Sequence, residues 1–256
     1  MKVVFFCGGL GTRLRGHQDT TPKPMVSIGQ RPILWHLMMY YAHYGHRDFI
    51  LCLGYLGNQI KDYFVNYREW HSNDFELRGD SGEPVLLNKD ISDWKITFVD
   101  TGLHSNIGER LAAVRPFIGD DPYFLANYSD GLSDLPLDRY VHTFLEKNKV
   151  ASFACVRPSQ SYHVVDLEED GTVVGLRSAS ESDTWINGGF FAFSQRIFDY
   201  LGEGEELVEE PFQRLIVESE LTAYRHSGFW ACIDTPKDKK AFDEMESRNH
   251  RPWQVW

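Results

Sequence analysis

The sequence predicts an α/β protein built on a mixed central sheet flanked by helices, and three observations carry that expectation. A short continuous apolar run, Val3-Val4-Phe5-Phe6-Cys7, ends in glycines, as a buried parallel strand does before a loop at the carboxyl edge of a sheet. Strand-length apolar runs then alternate with stretches of helical spacing through the first 156 residues, which is the doubly wound pattern. Beyond that point shorter apolar runs separated by turn signals give the chain a more β-rich texture.

Taken in order, the loop after the first strand runs from Gly8 to about Arg31. Pro32 suits a first helical turn, where no N–H is needed, and Ile33, Leu34, Leu37, Met38 and Tyr41 recur at helical spacing up to Gly45. Phe49–Leu53 reads as a second strand, and Gln59–Tyr67 as a helix with Ile60, Tyr63 and Phe64 on one face. From Arg68 to Asp93 the periodicity dissolves into polar and glycine-containing sequence, an inserted excursion with no assignable role. Strands over Ile96–Val99, Tyr123–Tyr128 and Ala151–Val156 enclose helices over Leu111–Phe117 and Leu137–Lys147. The second half offers strands over Val164–Leu167 and Val173–Leu176 around an Asp170-Gly171 turn, and a longer strand from Trp185 to Phe193. A helix over Phe212–Val217, a strand over Leu221–Tyr224 and a helix over Pro236–Ser247 complete the order.

With 256 residues, 42% of them hydrophobic, one large domain over residues 1–256 is the default. The formal net charge of −11 disfavours nucleic acid as a partner and requires positive charge to be concentrated wherever a phosphorylated small molecule binds. Cys7, Cys52, Cys155 and Cys232 stand singly in apolar stretches, which suits free thiols in a reducing compartment better than disulfides or zinc. The apolar run at the amino end is too short for a signal peptide, and no stretch of about 18 apolar residues suggests a membrane span. The expected location is the cytoplasm.

The densest chemical signal is Gly8-Gly9-Leu10-Gly11-Thr12-Arg13, followed by Lys23-Pro24. Glycines there let backbone N–H groups approach phosphate oxygens, while Arg13 and Lys23 supply the positive charge that a triphosphate and a departing pyrophosphate demand. The spacing matches neither the dinucleotide GxGxxG fingerprint nor a Walker loop, which excludes a Rossmann oxidoreductase; the plain alternative is a glycine turn joining strand to helix. Ser129-Asp130-Gly131 follows an apolar strand, and Asp234 ends another before Thr235-Pro236. Either aspartate alone reads as a turn or helix cap; together with a triphosphate loop they suit Mg²⁺ held by one or two carboxylates and phosphate oxygens.

The set GGLGTR, KPM, RPILWH, GYLG, DTG, SDG, INGGFF, Ser227-Gly228-Phe229-Trp230, DTP and Pro-Trp-Gln-Val-Trp resembles the glucose-1-phosphate cytidylyltransferases, within the sugar-phosphate nucleotidyltransferases, over essentially the whole chain. The resemblance implies a Rossmann-like, GT-A-like nucleotidyltransferase domain in which residues 1–156 form a nucleotide-binding half and residues 157–256 a small, β-rich acceptor-binding half of the same sheet. It implies that Gly8, Gly9, Gly11, Thr12 and Arg13 meet the triphosphate, that Lys23 neutralises charge near the α-phosphate, and that Arg110 lies near the nucleotide. Asp130 and Asp234 would hold Mg²⁺, and Asn187, Gly188 and Gly189 would face the acceptor. The implied reaction transfers CMP from CTP, or a related nucleotide, to a sugar 1-phosphate such as glucose 1-phosphate and releases pyrophosphate, in a homo-oligomeric enzyme.

The acceptor positions depart from the family pattern. Where the family carries a phosphate-gripping lysine this chain has Ser178, preceded by Arg177, and His163 stands where the family has only backbone. Arg177 and His163 are therefore candidate acceptor contacts. Three readings stay open at this level: Arg177 serves in place of the lysine, the acceptor is another sugar phosphate or a non-sugar phosphate or phosphonate, or the chain is a non-catalytic nucleotide-binding relative.

Overall fold

The computed structural model describes residues 1–9, 21–80, 82–158, 163–178 and 183–256. Strand β1 (Val3–Phe6) lies at the middle of the main sheet because every one of its side chains is apolar and both faces are covered. Val3 and Phe5 enter one core, Val4 and Phe6 the other, so the two-residue period of a strand feeds two layers at once. After two short paired segments, β2 (Ser27–Ile28) and β3 (Arg31–Pro32), come α1 (Ile33–His43), β4 (Asp48–Leu53) and α2 (Gly57–Val65). A hairpin of β5 (Phe75–Leu77) and β6 (Pro84–Leu86) occupies the excursion, before β7 (Lys95–Asp100), α3 (Ile107–Ala113) and α4 (Arg115–Ile118). Next are β8 (Tyr123–Tyr128), β9 (Gly131–Ser133), α5 (Leu137–Lys147) and β10 (Ala151–Val156). The second half holds β11 (His163–Leu167), β12 (Val173–Ser178), β13 (Ile186–Asn187), β14 (Phe191–Ser194), α6 (Glu210–Val217), β15 (Leu221–His226), β16 (Trp230–Cys232) and α7 (Pro236–Ser247).

Among the described residues the main sheet has eight strands. Strands β7, β4, β1, β8, β10 and β15 run in one direction, with β14 antiparallel between β8 and β10 and β13 antiparallel against β10. The sheet is therefore mixed, and strands from both halves of the chain share it. Helices α1, α2, α5 and α7 cover one face and α3, α4 and α6 the other. The carboxyl ends of the parallel strands collect at one edge, which is where a sheet of this kind binds ligands.

Several elements differ from the sequence reading, each for a local reason. The helix expected over Leu111–Phe117 is two short ones, α3 opening on an Asn106–Glu109 capping box and α4 starting anew where Pro116 lacks an N–H. The strand expected over Trp185–Phe193 breaks into β13 and β14 because Gly189 (φ +75°) and Phe190 (φ +51°) turn left-handed between them. Pro32 caps α1 and does not enter it. Helix α1 is buried nearly all round, Trp35, His36 and Tyr40 included, because Phe242 of α7, Trp253 and Trp256 pack in the same core. Among the described residues no helix is long and apolar enough to cross a membrane. Cys7, Cys52 and Cys155 are buried free thiols and Cys232 is half-buried.

His36 gives the fold a pH dependence. Its Nε2 donates to the Ile28 carbonyl at 3.0 Å, its Nδ1 has no partner among the described residues, and burial pushes the imidazole from an ordinary 6.5 down to about 4. The folded state then binds fewer protons than the unfolded chain between those values, so stability is complete above the unfolded pKa and is lost as pH falls toward 4. His46, pushed to about 4 by burial and by the Met1 ammonium, acts in the same direction. The loss from His36 should be on the order of 3 kcal/mol across that window. His36→Gln is expected to flatten the fall in denaturation midpoint; an unchanged profile would place the titration elsewhere.

Candidate active site

Two aspartates from distant parts of the chain meet because β9 and β16 pair antiparallel, Gly131 opposite Cys232, with the Ile233 amide donating to the Asp130 carbonyl at 2.9 Å. Asp130 and Asp234 thereby become neighbours at the carboxyl edge. The helix cap that sequence alone could assign to Asp234 belongs to Thr235, whose side chain accepts from the Asp238 amide in a capping box with Asp238. Asp234 is left for other work.

Both carboxylates converge on one atom. Lys23 Nζ donates to Asp130 Oδ2 and to Asp234 Oδ1, from a tight 3₁₀ turn over Lys23–Met25 that Pro22 and Pro24 stiffen. Burial works against the ammonium, but Asp130 and then Asp234 outweigh it and hold the Lys23 pKa above the ordinary lysine value. Lys23 is only 18% exposed, so it is a packed, ion-paired residue and not a member of an open loop. Two carboxylate oxygens aimed at one cationic atom also fit a divalent cation, since Mg²⁺ takes one or two carboxylates and completes its shell with phosphate and water oxygens. Beside them, burial and both aspartates push the Cys232 thiol up to about 12.

The glycine turn after β1 rests on a buried guanidinium. Arg110, 2% exposed, donates through Nη1 to the Leu53 carbonyl (3.1 Å) and Thr101 Oγ1 (2.7 Å), and through Nη2 to the Gly8 carbonyl (3.1 Å). A Cβ on Gly8 would fall 2.1 Å from Arg110 Nη1, so any side chain there would displace the guanidinium. In a trans peptide the C=O and the following N–H point opposite ways. With the Gly8 carbonyl held down by Arg110, the Gly9 N–H faces away from it, toward the exposed side of the turn. Arg110 thus sits beneath the turn; sequence reasoning placed it near the nucleotide without indicating this supporting position. Gly11, Thr12 and Arg13 lie outside the described residues.

Asn187 is exposed at the same edge, while Gly188 and Gly189 are buried behind it. Asn187 Oδ1 accepts from the Gly189 amide at 2.9 Å, and the Gly188 carbonyl accepts from Trp230 Nε1 at 2.9 Å, which ties this segment to β16 and so to Asp234. His163 and Arg177 lie on the β11–β12 hairpin, which pairs with no other strand among the described residues and exposes Val165, Leu167, Val173 and Leu176. Register places His163 opposite Ser178 and Val164 opposite Arg177. Arg177 therefore faces away from Ser178 and is ion-paired to Asp166 at 3.1 Å. The structure brings together Lys23, Asp130 and Asp234, and places Gly8, Gly9 and Asn187 along the same edge; no contact joins His163 or Arg177 to that cluster among the described residues. Thr101 and Trp230 lie in the DTG and Ser227-Gly228-Phe229-Trp230 segments of the motif set, but sequence reasoning gave neither a role: that Thr101 meets Arg110 and Trp230 meets Gly188 depends on strand ends brought together by the fold. A separate cavity of about 580 Å³ opens at the opposite, amino edge, but its charges are paired locally, Lys2 with Asp121, Arg47 with Asp93 and Lys95 with Asp48.

The chain is similar to known proteins in sequence and in fold. A probable glucose-1-phosphate cytidylyltransferase of Bacillus subtilis is 38% identical over 258 residues, covering 100% of both chains. The glucose-1-phosphate cytidylyltransferase of Salmonella typhimurium is 36% identical over 258 residues, again with 100% of both covered. In fold, the chain superposes with a TM-score of 0.69 and 15% identity on a putative glucose-1-phosphate thymidylyltransferase from Bacillus anthracis, over 96% of this chain and 94% of that one. The family model described as nucleotidyl transferase matches residues 2–238, and the chain belongs to that family.

Proposed function

We propose that this nucleotidyltransferase is a Mg²⁺-dependent cytidylyltransferase that joins CMP from CTP to a phosphorylated acceptor, with glucose 1-phosphate the default substrate, and releases pyrophosphate. The observation that carries the reading is the convergence of Asp130 and Asp234 on Lys23 at the sheet edge that also bears the Gly8-Gly9 turn. The full-length likeness to two cytidylyltransferases supports the choice of base and acceptor.

The reaction is an in-line displacement. A phosphate oxygen of the acceptor forms a bond to the α-phosphorus as the bond from that phosphorus to the bridging oxygen of the β-phosphate breaks, and the electron pair leaves with pyrophosphate. No covalent nucleophile is required. When bound between Asp130 and Asp234, a divalent cation supplies charge neutralisation and orients phosphate oxygens. Lys23, held beside the same carboxylates, would add the positive charge of its ammonium toward the phosphates. The Gly9 N–H, and by sequence Gly11, Thr12 and Arg13, serve the triphosphate, and Arg110 acts through Gly8 as a positioning residue.

Product mass after incubation with Mg²⁺, each of the four ribonucleoside triphosphates and glucose 1-phosphate tests this. CDP-glucose with stoichiometric pyrophosphate is expected from CTP. Equal or better turnover with another nucleotide would overturn the base assignment, and turnover only with another phosphate would overturn the acceptor.

A further inference from the structure

The acceptor end of the site carries a pair of arginines that no motif announced. Cys155 of β10 lies opposite Asn187 of β13 on one side and opposite Arg225 of β15 on the other. Residues in register share a face, so Asn187 and Arg225 flank the buried Cys155 on one row of the sheet. Trp185 precedes Asn187 by two residues and so stands on that face as well. Its indole carries two guanidinium groups, that of Arg157 at 4.4 Å from the ring centroid and that of Arg225 at 5.5 Å. Arg157 directly follows β10 and Arg225 lies near the end of β15, so both sit at the carboxyl edge that also bears Asp130. At about 4.8 Å per strand, β10 is roughly 10 Å from β8, within reach of a small molecule that also touches the carboxylates.

Two like charges on one ring repel each other, so an anion between them is favoured. Arg157 meets the fully exposed Asp183 at 3.4 Å, and Arg225 is in no ion pair among the described residues. The chain as a whole carries a net charge of −11, so positive charge concentrated here stands out against its surroundings. Meanwhile Ser178 is neutral and Arg177 faces away from it on the hairpin, bound to Asp166. A phosphorylated acceptor still needs cationic, multi-donor partners.

We infer that Arg157 and Arg225, aligned on Trp185 beside Asn187, bind an anionic group of the phosphorylated acceptor. The inference rests on the proposed transferase reading and names the residues by which that site selects its substrate. The anion is either the reacting phosphate or a second anionic group further along the acceptor. Guanidinium groups suit both, since each presents a planar fork of donors.

Steady-state kinetics of Arg157→Gln, Arg225→Gln and the double variant, with glucose 1-phosphate and with glucose 1,6-bisphosphate, test the inference. Glutamine keeps much of the side-chain length and removes the charge. The expected result is an acceptor KM at least tenfold higher in the double variant, with the KM for CTP unchanged. An equal rise for both acceptors assigns the pair to the reacting phosphate; a rise confined to the bisphosphate assigns it to the second anion. Calorimetric binding of the same two compounds to wild-type protein and double variant, without nucleotide, reads the site independently of turnover. Affinity for both compounds unchanged in a folded double variant would overturn the inference. Absence of any CTP turnover by wild-type protein, with binding still lost in the variant, would overturn the transferase reading alone.

Discussion

Replacing Asp130 or Asp234 by asparagine is expected to lower turnover by roughly a hundredfold or more while leaving the cooperative unfolding transition in place. Each substitution removes one of the two charges that converge on a single cation-sized position. The fold survives because Lys23 keeps the other carboxylate: the cluster passes from two negative charges and one positive to one of each. Pyrophosphate release at saturating Mg²⁺, read beside a thermal melt, checks both halves. Retention of more than half of the wild-type rate by either variant would dismiss that aspartate as a metal ligand.

Lys23→Ala should behave differently, because it removes the ammonium that meets both carboxylates. Asp130 and Asp234 are 23% and 34% exposed, and once unneutralised they repel each other across a partly dry gap. A loss of about 1 to 3 kcal/mol in stability is expected in the absence of divalent cation. Added Mg²⁺ should restore much of it, since the ion supplies the missing charge, and should raise the melting temperature more in this variant than in the wild type. Turnover should stay low even then, because the ammonium that follows the departing pyrophosphate is gone. A variant whose melting temperature ignores Mg²⁺ would contradict the shared-position account.

The parallel strands and the amphipathic helices were legible because their periodicities are strong, and helix α7 has the boundaries its Thr235-Pro236 opening predicts. What the sequence could not reveal is pairing between remote short segments. Nothing in Gly131–Ser133 or Trp230–Cys232 announces that the two form a ladder, yet that ladder is what sets Asp130 beside Asp234. Charge burial was equally hidden. Lys23 read as part of an open loop because polar and proline residues surround it, and its enclosure comes from carboxylates more than 100 residues away. Arg110 shows the same limit: its position beneath Gly8 depends on the ends of β1, β4 and β7 arriving at one point. The arginine pair on Trp185 arises from strand register, which a linear pattern does not encode.

The central position of β1 bears on how the chain acquires its shape. This strand pairs with β4, some 46 residues later, through Val3 and Phe49, and on its other edge with β8 through Val3 and Leu125. Neither edge can be satisfied by local turns, so large loops must close before the middle of the sheet is rewarded, which slows such topologies. On the ribosome, Val3–Phe6 would wait as an unpaired, wholly apolar strand until β4 and then β8 emerge, and the platform carrying Asp234 forms later still. During that interval the segment is a template for pairing with other chains, so this protein should depend on chaperones during synthesis more than its finished stability suggests.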